Sequence, residues 1–140
     1  METLDDLERI ALGSSMSVPA GQYARQAMDR IGVYIPLKEK NKLIMAKDVR
    51  QSLLYADQGE VSGAFVYQTD AMLATRAAVV FTVPGNLYDR VSYPLGLTNS
   101  GLKNKSAKQF YDYMKSSEVI RVLGEFGFEP HFKNLSTIRS

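Results

Sequence analysis

The residues with the clearest chemical potential in this sequence are backbone amides at the start of a predicted helix. Pro19 suits the first helical position, which needs no NH, and Ala20, Gly21 and Gln22 follow it. The NH groups of a first turn have no partner within the helix and lie at the positive end of its dipole. Gly21 has no side chain to hold a ligand away. These residues are therefore candidates to bind a small anion without a cationic side chain.

Two further turns offer donors of the same kind. Val49 follows Asp48, which suits the capping position before a helix, and Tyr67 ends an apolar run with a phenolic OH. Each has a structural alternative: the turns could be ordinary helix starts, Val49 a core residue and Tyr67 an amphipathic residue at the core edge. Asp70 disfavours a nearby anion unless its carboxylate is turned away, and Arg50 could attract an anion or simply be a solvated side chain.

The familiar signatures of enzymes are missing from the sequence. It contains no cysteine and one histidine, His131, so neither a thiolate metal site nor a histidine-rich centre is expected. Ser14, Ser15 and Ser17 lie in no G-x-S-x-G pattern, and neither G-x-G-x-x-G nor G-x-x-x-x-G-K-[ST] occurs. We predict a protein that is not an enzyme and that needs no cofactor or metal cation.

The composition indicates a globular protein with no strong attraction to polyanions. The chain has 140 residues, of which 45% are hydrophobic and 23% charged, as in ordinary folded proteins. Its 17 basic and 15 acidic residues give a net charge of +2, which does not predict nucleic-acid binding. No apolar run approaches the roughly 20 residues of a membrane span, so membrane insertion is not expected. The acidic start at residues 1–6 lacks the apolar segment of a signal peptide.

Short apolar runs and amphipathic segments alternate along the chain and must position the candidate donors. Four apolar runs predict strands, at residues 9–13, 43–46, 61–67 and 77–83. Helices are predicted from Pro19 to a stop at Gly32 and from Asp48 to a stop at Gly59. This alternation predicts an α/β fold with a mainly parallel sheet flanked by helices. Ligands bind at the carboxyl edge of such sheets, where all three turns would meet.

The pattern changes after residue 90. Residues 91–98 contain Pro94, which cannot donate to a ladder and so predicts an edge or crossing strand. Two apolar stretches between Ser106 and the stop at Gly127 predict a long helix, with a short helical turn also predicted at residues 3–7.

Several segments, taken in order, resemble the periplasmic molybdate-binding proteins of ABC transporters. They are residues 17–24 (SVPAGQYA), 48–53 (DVRQSL), 63–71 (GAFVYQTDA), 91–95 (VSYPL), 110–115 (FYDYMK) and 126–128 (FGF). Each segment is short, but their order and spacing match over nearly all of the chain up to Pro130. The sequence is therefore identified as similar to this family.

The resemblance implies a solute-binding protein of the type II periplasmic-binding-protein fold. Two lobes would close on a tetrahedral oxyanion, molybdate or tungstate, and deliver it to a membrane permease. In the family the oxyanion is held by backbone NH groups at the positions matching Ala20 and Val49, by the hydroxyl matching Tyr67, and by serines of the other lobe. Gly21 and Gln22 are candidates for additional backbone donors. Full-length members are periplasmic.

The resemblance covers only the second lobe and the C-terminal part of the family. It implies a second-lobe α/β domain at residues 1–90, a crossing strand and helix at 91–130 that return to the first lobe, and a tail at 131–140. We therefore expect weak or undetectable oxyanion binding by this chain alone. We also expect a homodimer through the apolar residues of 91–130, among them Phe110 and Phe126. The alternatives are a binder of another small anion such as sulfate, and an effector-sensing domain of a transcription regulator.

Overall fold

The structure, a computed structural model, describes Leu4 and residues 6–130 of the chain. These residues fall into two compact units, within Met1–Val91 and Ser92–Ser140.

The first unit is built on three parallel strands. They are β1 (Ile10–Gly13), β2 (Leu43–Ala46) and β3 (Gly63–Ala64), in the order β2-β1-β3. Gly13 lies opposite Ala46, and Ala11 lies opposite both Ile44 and Ala64. The parallel register and the flanking helices confirm the predicted α/β fold class.

Four helices of the first unit follow the strands in turn. They are α1 (Pro19–Arg30), α2 (Tyr34–Glu39), α3 (Val49–Gln58) and α4 (Gln68–Ala71). In the order β2-β1-β3, the connection from β1 to β2 and the connection from β2 to β3 cross the sheet in opposite directions. Right-handed crossovers therefore place α1 and α3 on opposite faces of the sheet. Gly32 and Gly59 adopt left-handed backbone angles, with φ of 75° and 74°, just past α1 and α3, as their predicted stop roles require.

The core of the first unit lies where β1 meets α1 and α2. Its buried members are Ile10, Leu12, Ala24, Met28, Tyr34 and Leu37. Ile10 and Leu12 are two residues apart on β1 and therefore face the same side of the sheet. Burying each of the larger apolar side chains contributes about 1.5–3 kcal/mol, so this cluster supplies much of the stability that holds the sheet edge in place.

Two predicted strands of the first unit are shorter than expected or not formed. The strand predicted at 61–67 reduces to β3, because after the Phe65 NH donates to the Ala11 carbonyl at 2.8 Å the chain leaves β1. Residues 77–83 form no strand, although their β-branched side chains favour an extended backbone. Val80 is 95% exposed, and no neighbouring strand among the described residues bonds to this segment.

The second unit contains two helices where one long helix was predicted. They are α5 (Lys105–Tyr113) and α6 (Ser117–Glu125). The break occurs because the Ser116 hydroxyl accepts from the Val119 NH at 3.3 Å and thereby caps a new helix.

The crossing strand predicted at residues 91–98 is not formed, since this segment, which contains Pro94, has no ladder partner among the described residues. The rings of Tyr93 and Phe128 pack edge to face, with centroids 6.0 Å apart. The predicted tail at 131–140, with His131, lies outside the described residues, as does part of the turn predicted at 3–7.

Candidate functional site

The parallel register brings the three predicted turns to one edge of the sheet. Gly13 at the end of β1 pairs with Ala46 at the end of β2, and the Ser14 NH donates to the Ala46 carbonyl at 2.9 Å. On the other side of β1, the pairing of Ala11 with Ala64 carries the chain after β3 toward the same edge. The exit of β1, which leads to α1, therefore lies between the exits that lead to α3 and α4.

The start of α1 presents two of the three amides predicted there. A tight loop precedes it, in which the Ser17 and Val18 NH groups both donate to the Ser14 carbonyl, at 3.2 and 2.8 Å. Within the described residues, the NH groups of Ala20 and Gly21 have no hydrogen-bond acceptor.

Gln22 and Gly21 depart from their predicted roles in different ways. The Gln22 NH donates to the Val18 carbonyl at 3.0 Å, so it is not an available donor in this conformation. Gly21 is buried, and a Cβ atom at this position would lie 1.8 Å from the Gly13 carbonyl oxygen. Glycine is therefore required here because α1 packs closely against the end of β1. The space that the missing side chain leaves is taken by the strand, whereas the sequence pattern predicted a ligand there.

The start of α3 is held by reciprocal side-chain caps. The Asp48 carboxylate accepts from the Gln51 NH at 2.8 Å, and the Gln51 side-chain oxygen accepts from the Lys47 NH at 2.8 Å. The Ser52 NH donates to the Asp48 carbonyl at 3.3 Å. The described residues offer no acceptor to the Val49 NH, which lies in the first turn of the helix as predicted.

Tyr67 lies immediately before α4 and is half-buried. Its carbonyl accepts from the NH groups of Asp70 and Ala71, at 3.1 and 2.9 Å. Tyr67 and Ala20 line the same cavity of about 540 Å³, whose other walls are largely alanine, valine and leucine side chains. Ala20 and Tyr67 are thus brought together, and Val49 lies at the strand exit on the far side of β1.

Four charged side chains lie at or near this edge. Lys47 directly follows β2, Asp48 caps α3, Arg50 is exposed in the first turn of α3, and Asp70 is half-buried in α4. Burial raises the pKa of the Asp70 carboxyl, and the charge of Arg50 opposes that rise. The two cations and two carboxylates balance, so these four side chains give this edge no net formal charge.

One structural residue at the far end of α3 from the candidate site was not predicted. The Asp57 carboxylate, in the last turn of α3, accepts from the NH groups of Thr75, Arg76 and Ala77 at 2.8–3.2 Å and from the Thr75 hydroxyl at 3.0 Å. These bonds lower the pKa of Asp57 to about 2. Nothing in the local sequence signals this contact, because the partners are 18–20 residues apart.

Among the described residues, no group of three or more histidine, aspartate or glutamate side chains is placed to hold a metal ion. No helix in the described part of the chain has the length and apolar character needed to span a membrane.

A family model described as "Bacterial extracellular solute-binding protein" matches residues 2–129. The chain belongs to this family. Its members bind and carry solutes rather than catalyse reactions, in agreement with the prediction that the protein is not an enzyme.

Individual relatives confirm the resemblance to molybdate-binding proteins. The chain is 36% identical over 125 residues to the "Putative ABC transporter substrate-binding lipoprotein YvgL" of Bacillus subtilis (strain 168), covering 89% of this chain and 47% of that protein. It is 34% identical over 120 residues to the "Molybdate-binding protein ModA" of Escherichia coli (strain K12), covering 86% of this chain and 46% of ModA. The chain therefore spans about half the length of the curated relatives it matches.

Solved structures give the same result for the fold. The "substrate binding domain of putative molybdenum ABC transporter from Clostridium difficile" matches with a TM-score of 0.81 and 28% identity, over 92% of this chain and 56% of that one. The periplasmic molybdate-binding protein of Azotobacter vinelandii matches with a TM-score of 0.69 over 89% of this chain and 55% of that one; at 20% identity it supports the fold alone. The α/β unit therefore has the fold of a periplasmic-binding-protein domain.

Proposed function

We propose that the first unit supplies half of the binding site for a tetrahedral oxyanion, molybdate or tungstate, in the solute-binding component of an ABC transporter. The observation that carries this proposal is the meeting of the Ala20 and Val49 amides and the Tyr67 residue at one edge of the sheet. The names of the molybdate-binding relatives support the choice of solute.

The chemistry of the edge suits an oxyanion that arrives fully charged. Amides at helix starts stabilise negative charge through their hydrogen bonds and the helix dipole, and they need no formal cation. The Tyr67 phenol adds a donor from a separate element. Molybdate and tungstate share charge and shape, so these donors would accept both.

We propose that binding by this chain alone is weak. In the molybdate-binding family that this chain resembles, serines of another lobe complete the set of hydrogen-bond donors. Without those serines, one face of the oxyanion stays hydrated. A full-length member of the family would work in the periplasm and deliver its solute to a membrane permease. The alternative of a transcription regulator's effector domain is not favoured, because the matched relatives are binding proteins.

A titration followed by amide NMR tests the proposal. Sodium molybdate is added at constant ionic strength, and the Ala20 and Val49 amide signals are expected to shift along one saturable curve with millimolar affinity. Replacing Tyr67 with Phe removes one hydrogen bond to a charged ligand, which contributes about 1.5–3 kcal/mol, so affinity should fall about tenfold or more.

Tyr55→Phe is the matched control, because Tyr55 lies near the other end of α3 and should leave the affinity unchanged. Sulfate, tested in parallel, distinguishes selectivity for a larger oxyanion from general anion binding. No saturable shift of Ala20 or Val49 with molybdate, tungstate or sulfate would overturn the proposal.

A further inference from the structure

The two carboxylates at the proposed oxyanion edge, Asp48 and Asp70, differ in their hydrogen bonding. Residues 14–22, at the middle exit, contain no charged side chain. Asp48 is already used as the helix cap, with its carboxylate on the Gln51 NH at 2.8 Å. Within the described part of the chain, Asp70 makes no such capping contact, and it is half-buried. Asp70 is therefore the carboxylate whose negative charge should repel a bound anion more strongly.

Asp70 and Arg50 each lie within one turn of a proposed donor, Tyr67 and Val49 respectively. The Asp70 NH donates to the Tyr67 carbonyl at 3.1 Å, which holds Asp70 within one turn of the phenol residue. Arg50 is the residue after Val49 in the first turn of α3. Burial raises the pKa of the Asp70 carboxyl, and the charge of Arg50 acts on that carboxyl in the opposite direction. The two side chains are thus electrically coupled, although no direct ion pair joins them in the described part of the chain.

We propose that Asp70 is a specificity-determining residue that limits how strongly this edge favours doubly charged oxyanions, and that Arg50 offsets this limit. The inference rests on the proposed oxyanion function and extends it from the donors to the charge of the ligand. Neither residue needs to donate a hydrogen bond to the oxyanion. Their effect acts through space on the total charge that the ligand carries.

A charge effect has a signature that a change of shape does not have. The energy between two charges is proportional to each of them, so removing one protein charge changes the binding energy of a dianion twice as much as that of a monoanion. The fold-change in affinity for the dianion is then the square of the fold-change for the monoanion. A substitution that merely loosened the fold would alter both affinities by the same factor.

The experiment compares molybdate, a dianion, with perrhenate, a monoanion of the same tetrahedral shape. Dissociation constants are measured from the Ala20 and Val49 amide shifts at pH 8, with chloride holding the ionic strength constant. For Asp70→Asn we expect affinity to rise about threefold for perrhenate and about tenfold for molybdate. Arg50→Gln should lower both affinities with the same square relation, and the double variant should return close to the parent.

Glu60→Gln is the control, because Glu60 is an exposed carboxylate between α3 and the start of β3, at the opposite edge of the sheet. It should leave both affinities within the error of the measurement. If the parent binds molybdate but Asp70→Asn leaves both affinities unchanged, or changes them by the same factor, this inference is overturned and the proposed function stays intact. Failure of the parent and of Asp70→Asn to bind either oxyanion would overturn both.

Discussion

Gly21 shows how one residue can serve the site without touching a ligand. Its Cα lies so close to the end of β1 that an added Cβ would be 1.8 Å from the Gly13 carbonyl oxygen. Gly13 is also confined, since its own added Cβ would be 2.5 Å from a Val18 methyl group. This contact sets the distance between the strand exit and the first turn of α1, where the Ala20 NH lies.

We predict that Gly21→Ala destabilises the first unit by about 2–4 kcal/mol, because backbone cannot yield to the new methyl as a flexible side chain would. Chemical denaturation followed by circular dichroism measures the loss. Gly85→Ala is the control: nothing lies within 4 Å of the Cβ that it adds, so its effect should stay within about 0.5 kcal/mol. Equal stability of the two variants would contradict the close-packing role of Gly21.

At the scale of elements, α3 joins the candidate site to a distant loop. Its first turn carries Val49, and its last turn carries Asp57, whose carboxylate holds the backbone of residues 75–77. That loop follows α4, the short helix that begins after Tyr67. The residues between β3 and the loop are thereby tied at both ends, by the Phe65 NH bond to β1 and by Asp57.

The Asp57 contact predicts a defined response to acid. Because the pKa is lowered from 3.8 to about 2, the ionised carboxylate stabilises the folded state above pH about 4, and this contribution is lost as the pH falls toward 2. The amide signals of residues 75–77 should titrate together with a midpoint near pH 2. A midpoint near 3.8 would show that the carboxylate does not hold the loop.

Asp57→Asn should remove this titration and lower the hydrogen-exchange protection of the Thr75, Arg76 and Ala77 amides at neutral pH, since a neutral amide cannot accept all of these bonds. Asp29→Asn is the matched control. Asp29 pairs with the Arg25 side chain at 3.3 Å on the surface of α1, so its replacement should leave the three amides unchanged.

At the scale of the whole molecule, the second unit leaves much of its apolar surface exposed. Phe110 on α5 is 59% exposed, and Phe126, just past α6, is 63% exposed. Tyr93 is 68% exposed even though it packs against Phe128. Apolar surface of this kind is characteristic of a region that packs against another polypeptide.

We propose that the partner is a second copy of the chain, and we expect size-exclusion chromatography with light scattering to give a dimer at micromolar concentration. The variant Phe110→Ser/Phe126→Ser should shift the equilibrium to monomer while circular dichroism stays unchanged. Ile35→Ser, which replaces an exposed apolar residue of the first unit, is the control and should remain dimeric. A well-folded monomer of the parent chain would contradict the dimer.

Much of the first unit could be predicted from short stretches of sequence. Pro19 at the start of α1, Asp48 before α3 and Gly59 after it act through contacts within about one turn, so the local sequence contains the information. The three parallel strands and their common edge followed from the alternation of elements. The positions of Ala20, Val49 and Tyr67 at helix starts could be predicted for the same reason, because each begins or precedes a helix after a strand, and their role as oxyanion donors stays a prediction.

Only the tertiary structure decided which of the predicted strands pair with a neighbouring strand. Residues 77–83 and 91–98 have the composition of strands, but a strand forms only when another lies about 5 Å away, and none of the described residues provides one. The contact of Gly21 with Gly13, the Asp57 bonds and the coupling of Asp70 to Arg50 were likewise decided in three dimensions. Each of these contacts joins residues of different elements, and hydrogen bonds, close packing and charge coupling between elements depend on distances that local sequence does not specify.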